Sequence, residues 1–312
     1  MISLARAANS FDPGKCGQKF SFTLDGQLCG FIRPAFAARL AADGKWSPFV
    51  VDMDGLSVSL DPSLAREERT ASVEAFLIGV REMKVVPALA SWRNERFPVW
   101  TGDASWSLEI DRGATGLFGI MQYGTHLNGY VYEGANCQDM KIWVAKRSKL
   151  KKTNPGKLDN LVGGGIAAGD TPDSTIVKEC GEEAGIFDKV LIKSMETPIM
   201  THLEIRSCGA VSMYQDDPVR GWQAGTEFVY DLELPLTFVP KAEDGEVESF
   251  ELLSVDEVKR DLSAGKFTTE AGIVMLDFLV RHAIVTPANE PDYPEILQLL
   301  HRNLPFASAK FS

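Results

Sequence analysis

The stretch Leu158–Ile186, LDNLVGGGIAAGDTPDSTIVKECGEEAGI, constrains this chain more than any other. Its three consecutive glycines, Gly163, Gly164 and Gly165, allow a tight backbone turn and a close approach to a ligand. Thr171 then offers an N-cap hydroxyl and Pro172 a proline at the first helical position, while Gly185 is a typical helix-ending residue. The spacing predicts a helix from Pro172 to about Ala184. On it Glu179, Glu182 and Glu183 stand at i, i+3 and i+4 and share one face. Ile176, Val177, Cys180 and Ala184 are left to fill the opposite face as core. Three like charges on one face repel, and a divalent cation between them would offset that repulsion; hard oxygen ligands suit magnesium or manganese. Glycine loop, helix and carboxylate cluster together point to a site for phosphate and metal.

The same segment resembles the Nudix box, G-x5-E-x7-R-E-U-x-E-E-x-G-U with U aliphatic. Aligned without gaps, Gly164 takes the first glycine, Asp170 the first glutamate and Lys178 the arginine. Glu179 follows, Cys180 stands at the aliphatic position, Glu182 and Glu183 are the paired glutamates, and Gly185-Ile186 close the box. Three positions depart from the pattern. Asp170 and Lys178 keep the charge, and Cys180 serves as a small hydrophobe. Lys178 lacks the planar fork of arginine, so it would orient the carboxylates less tightly.

What the resemblance implies is an α+β chain: a Nudix α/β/α sandwich with a mixed sheet over residues 106–312, preceded by a smaller α+β domain over 1–105. It implies Mg2+ (or Mn2+) held by Glu179, Glu182 and Glu183, and water as the nucleophile on a pyrophosphate bond. Glu182 or Glu183 would accept the water's proton and Lys178 would orient the carboxylates. Gly163, Gly164, Gly165 and Asp170 would lie on the phosphate side.

Composition agrees with a globular chain. Its 312 residues suffice for two domains, with 45% hydrophobic and 24% charged residues. A net charge of −11 argues against a nucleic-acid backbone or an anionic membrane as main partner, so a phosphorylated small molecule must be drawn in locally. The cysteines Cys16, Cys29, Cys137, Cys180 and Cys208 are scattered without a CxxC pair, which favours reduced thiols and a cytoplasmic setting. No apolar run suggests a signal peptide or a membrane span. A monomer or a homodimer is expected.

In the first part, residues 1–15 read as irregular. Hairpins are expected around Asp25-Gly26 and Asp54-Gly55, and helices from Pro34 to Ala42 and from about Leu64 to Met83. WRNERFPVW, Trp92 to Trp100, gathers two tryptophans and two arginines. Trp92 or Trp100 could stack on a substrate ring and Arg93 or Arg96 could meet its phosphate; alternatively these are packing residues of a strand.

In the second part, strands are expected within Gly116–Gly134 and at Lys141–Ser148, with a basic tail reaching Lys157. Two more follow the box, in VLIKSMETPIMTHLEIRS and GTEFVYDLELP. His126 and Asn128 are candidate substrate contacts, with a structural role as the alternative. Glu246 or Glu248, in an acidic loop before a strand, is a candidate extra metal ligand or general base. Helices are expected over Thr269–Ala283 and near Tyr293–Leu304.

Five stretches together are similar to one Nudix subfamily, whose members carry a thiamin-pyrophosphokinase-related N-terminal region. They are WRNE (Trp92–Glu95), YGTHLNGYV (Tyr123–Val131), KLDNLVGGGIAAGD (Lys157–Asp170), FVYDLELP (Phe228–Pro235) and DGEVESFELL (Asp244–Leu253). This resemblance implies hydrolysis of thiamin diphosphate, or its damaged oxo and oxy analogues, to the monophosphate and phosphate. Competing readings are hydrolysis of ADP-ribose, NADH, CoA or a nucleoside triphosphate, a Nudix-fold binding module without catalysis, and an isomerase on the same fold.

Overall fold

The computed structural model describes residues 1–42, 46–102, 105–133, 139–186, 191–193, 204–242 and 245–311, with 191–193 described by backbone alone. In the first part, Asp25 and Gly26 both adopt positive φ, 51° and 78°, and turn β1 (Phe20–Leu24) into β2 (Gln27–Ile32). The second expected hairpin joins β3 (Phe49–Asp52) to β4 (Ser57–Leu60), with Asp52 Oδ1 accepting the backbone N–H groups of Asp54 and Gly55. The sheet runs β2-β1-β4-β3, antiparallel except for the parallel β1–β4 pair. Over it lie α2 (Pro34–Ala42) and α3 (Arg66–Glu82), whose Val73, Leu77 and Val80 enter a core with Phe22, Phe49 and Phe118. A separate hairpin, β5 (Arg96–Gly102) with β6 (Ser105–Asp111), spans the expected 105/106 boundary, and the short α4 (Thr115–Phe118) follows it.

The second part is the expected mixed α/β/α sandwich. Its strands are β7 (Met121–Glu133), β8 (Asp139–Arg147), β9 (Leu158–Asp159), β10 (Val162–Gly165), β11 (Leu191–Lys193), β12 (Glu204–Asp217), β13 (Gly221–Glu233) and β14 (Val247–Ser254). The main order is β11-β12-β13-β7-β8-β14, with β10 paired to β7 and β9 to β8. The β13–β7 pair is parallel and brings both site-bearing strands to the centre. On one face α5 (Pro172–Ala184) packs Ile176, Cys180 and Ala184 against Leu127, Trp143 and Tyr230. On the other, α6 (Val255–Ser263), α7 (Thr269–Arg281) and α8 (Tyr293–Leu300) pack on Tyr130, Ile142, Val144 and Val229.

Three local expectations are corrected. Residues 1–15 are not all irregular: Ile2–Ala8 form α1, whose Ala5 and Ala8 are buried against the α7 and α8 side of the second part. Arg6 holds it there through a 2.7 Å ion pair with Glu295. Val177 is 44% exposed, and Thr175 and Gly181 take its place on the buried face of α5. The three glycines form no loop: they lie in β10, and none has a positive φ. Most of the expected strand Val190–Ser207, together with Cys137, Glu243 and Asp244, lies outside the described residues.

Candidate active site

The helix α5 begins as its sequence demands. Thr171 Oγ1 accepts the Ser174 N–H at 3.1 Å, Pro172 occupies the first turn, and Gly185 ends the helix at φ 68°. Across from it β10 runs antiparallel to β7, with Gly163 opposite His126, Gly164 opposite Thr125 and Gly165 opposite Gly124. Glycine is required because side chains approach this strand from both faces. A Cβ on Gly164 would lie 2.5 Å from Glu179 Cδ, and one on Gly163 would lie 2.8 Å from His126 Nδ1.

The box carboxylates differ in environment. Glu183 is buried and accepts the Gly163 N–H at 2.9 Å. Its carboxyl is pushed up to about 8, by burial first and then by Asp159 and Glu179, which outweigh the Gly163 bond. Glu179 is half-buried and rises to about 7, again chiefly through burial, with Glu182 and Glu246 adding to it and Lys178 opposing. Glu182 faces solvent, 3.9 Å from Lys178 one turn back.

Beside the glycines lies a polar cavity with walls from both parts of the chain. Arg93, Phe97 and Arg112 come from the first part; His126, Arg147, Asp159, Arg220, Glu227 and Glu270 come from the second. Its floor holds His126, with Nε2 3.5 Å from Glu227 and Nδ1 3.9 Å from Asp159. Burial disfavours the charged imidazole, but Glu227, Asp159 and Glu270 together outweigh it and raise the pKa to about 9. The acidic neighbours thus favour the charged imidazole. Arg147 is paired with Asp159 at 2.7 Å, Arg112 with Glu95 at 3.1 Å and Arg220 with Asp217 at 2.9 Å. Arg93 donates to Thr153 Oγ1 at 3.0 Å and, among the described residues, has no carboxylate within ion-pairing distance.

The structure thus brings Gly163, Gly164, Gly165, Arg93 and His126 to one cavity, with Glu179 and Glu183 packed behind the glycines. Other candidates stand elsewhere. Asn128 is fully buried, donating to Asp231 at 3.3 Å and accepting from Asn160 at 2.8 Å, and is not on the cavity wall. Trp92 packs in the core of the first part, its indole N–H donating to Asn94 Oδ1 at 2.9 Å. Asp170 is exposed in the turn before α5. Glu246 is paired with Lys151 and acts electrostatically on Glu179. Arg112 and Glu270 gave no signal in the sequence. Glu227 had a weak one, as one of three acids along the strand GWQAGTEFVYDLE.

Residues 134–271 match the NUDIX domain, and residues 1–122 match a domain of unknown function, DUF4743. Among curated proteins, Nudix hydrolase 20, chloroplastic, of Arabidopsis thaliana is 34% identical over 295 residues, 92% of this chain and 74% of that protein. Nudix hydrolase 24, chloroplastic, of the same plant is 32% identical over 290 residues, 92% of this chain and 73% of that one. The chain belongs to the Nudix hydrolases. It is also similar to the uncharacterized protein YJR142W of Saccharomyces cerevisiae, 37% identical over 240 residues, 76% of this chain and 66% of the yeast protein.

Nudix hydrolases generally use divalent cations such as Mg2+, and the donor chemistry here fits one. Glu179 and Glu183 are carboxylates that burial makes costly to ionise, which a neighbouring divalent cation would reverse. Their arrangement is not pre-assembled: among the described residues no three His, Cys, Asp or Glu side chains are grouped as a metal site. Glu182 points to solvent and Glu183 is held by Gly163, so a cation shared by both would require side-chain rotation in this Nudix hydrolase.

Proposed function

We propose that this Nudix hydrolase cleaves the pyrophosphate bond of thiamin diphosphate or its oxo and oxy analogues, to the monophosphate and phosphate. Water adds to the terminal phosphorus, the bridging P–O bond breaks, and the monophosphate leaves. Glu179, Glu182 and Glu183, with Glu246 beside them, would hold magnesium or manganese, which would neutralise phosphate oxygens and acidify a water. Glu182 or Glu183 accepts the water's proton, Lys178 steadies Glu182, and Asp170 stands at the entrance of the box helix. His126 and Arg93 bring positive charge to the cavity on the face of β10 opposite Glu179, where an anionic substrate would otherwise meet an acidic chain.

The observation that carries the reading is the shared cavity: Arg93 and Arg112 of the first part face the Gly163–Gly165 strand across it. The first part therefore contributes to substrate recognition, in keeping with the five stretches similar to relatives carrying a thiamin-pyrophosphokinase-related region. A two-part division of the chain that keeps the β5–β6 hairpin and Arg112 with the first part rather than cutting at 105/106, a monomer or homodimer, and a cytoplasmic location belong to the same proposal. Four free cysteines among the described residues suit a reducing compartment. No helix among the described residues is long and apolar enough to cross a membrane.

The test is phosphate release with Mg2+ from thiamin diphosphate, its oxo and oxy analogues, ADP-ribose, NADH and dNTPs. Glu183→Gln serves as the inactive control and Arg93→Ala as the recognition control. Selective cleavage of thiamin-type diphosphates, with KM raised about tenfold by Arg93→Ala, is the expected result. Cleavage of ADP-ribose or NADH instead would discard the thiamin assignment, and no cleavage at all would leave a binding module.

A further inference from the structure

Phe311 sits in a cage made by Trp100, Tyr123 and Phe228. Its ring centroid is 5.7, 5.5 and 5.6 Å from theirs, with interplanar angles of 69°, 83° and 84°, an edge-to-face contact on every side. Trp106 backs the cage, 5.3 Å from Trp100. Residues 302–311, which deliver Phe311, form neither helix nor strand; Leu304 and Phe306 anchor the segment against Phe31 and Tyr214, and Phe311 lies five residues beyond that anchor. Near the cage, its hydrogen bond is from Ala309 N–H to the Tyr123 hydroxyl at 2.8 Å.

The position of the cage follows from strand register. Gly164 pairs with Thr125, and Phe228 pairs with Thr125 from the other side. Directly paired residues, and residues two apart, point to one face of a sheet. Tyr123, Thr125, Gly164 and Phe228 therefore share the face over which Glu179 lies against Gly164. Tyr123 is two residues along β7 from Thr125, roughly 7 Å. Tyr123 also belongs to the wall of the arginine-lined cavity. A ring in the cage would thus stand within a short linker of a diphosphate at the box carboxylates. Among the described residues the buried Trp100 indole N–H has no acceptor, and Phe311 brings none to it.

We propose that this cage is the subsite for a planar heteroaromatic ring on the organic diphosphate, and that Phe311 fills it until substrate enters. The segment 302–311 then acts as an intramolecular competitor for the ring. The location beside the box rests on the diphosphate reading; the affinity of the cage for a ring does not.

The experiment uses the full chain without metal, so that no hydrolysis is involved. Thiamin and adenosine are titrated against wild type, Phe311→Ala, Phe311→Leu and Phe228→Ala, with tryptophan fluorescence as readout and thermal unfolding to confirm that each variant is folded. Phe311→Ala is expected to bind a ring about three- to tenfold more tightly than wild type, with Phe311→Leu between them and Phe228→Ala weaker. With Mg2+, Phe311→Ala should lower KM for the ring-bearing diphosphate and leave that for isopentenyl diphosphate, which has no ring, unchanged. Folded Phe311 variants that bind neither ring more tightly than wild type would overturn the proposal and make Phe311 a simple anchor. Ring binding without hydrolysis of any diphosphate would support the cage while sinking the reaction.

Discussion

The carboxylate of Glu183 accepts the backbone N–H of Gly163 at 2.9 Å, tying the last turn of α5 to the glycine strand β10. One bond joins the two halves of the box that sequence alone could only set side by side. It also holds a buried acid within reach of the cavity wall, where its neighbour Glu182 remains exposed.

Glu183→Gln keeps an oxygen acceptor for Gly163 and removes the charge. Turnover is expected to fall by about 10²–10⁴-fold, with circular dichroism unchanged; Glu182→Gln should also lower it by orders of magnitude. Steady-state kinetics at saturating Mg2+ checks this, and full activity in both variants would remove the box carboxylates from the reaction.

Gly164→Ala places a methyl group 2.5 Å from Glu179 Cδ, so the carboxylate must swing away. A displacement of about 1 Å at a reacting centre costs on the order of 10²-fold in rate. The loss should appear in kcat and be accompanied by a lower Tm, because Glu179 Cγ also lies 2.5 Å away and the whole half-buried side chain must shift.

Asp231 titrates at about 2. Burial alone would raise it, but hydrogen bonds from His282, Arg281 and Asn128 outweigh that and hold it below its usual 3.8. A carboxylate held down in the folded state stabilises fully above its unfolded pKa and ceases to as pH falls through the folded one. Stability worth about 2 kcal/mol should therefore disappear between about pH 4 and 2, measured by urea unfolding. Asp231→Asn should be less stable at pH 7 and show a flatter acid limb; an unchanged acid limb would place the loss elsewhere.

The parts of the fold legible in sequence are those whose causes are local. Thr171, Pro172 and Gly185 mark the ends of α5 within its own residues, and Asp25-Gly26 marks the first hairpin through the φ values it tolerates. The spacing of Glu179, Glu182 and Glu183 fixes them near one face of a helix before any packing occurs. The rest depends on contacts across long stretches of chain. The seven-residue α1 is too short to be stable alone and forms because Ala5 and Ala8 meet the core packed by α7 and α8.

The Nudix family, the box and the carboxylates that would hold a cation are written in local spacing alone. Tertiary structure decided which charges meet. The parallel pairing of β13 with β7 sets Glu227 beside His126, residues about a hundred positions apart, and raises the histidine's pKa. It also moved Asn128 and Trp92 into interior roles and brought Arg112 to the cavity. Burial and Coulomb interaction depend on distance in space, and sequence spacing gives that distance only within one turn or one hairpin.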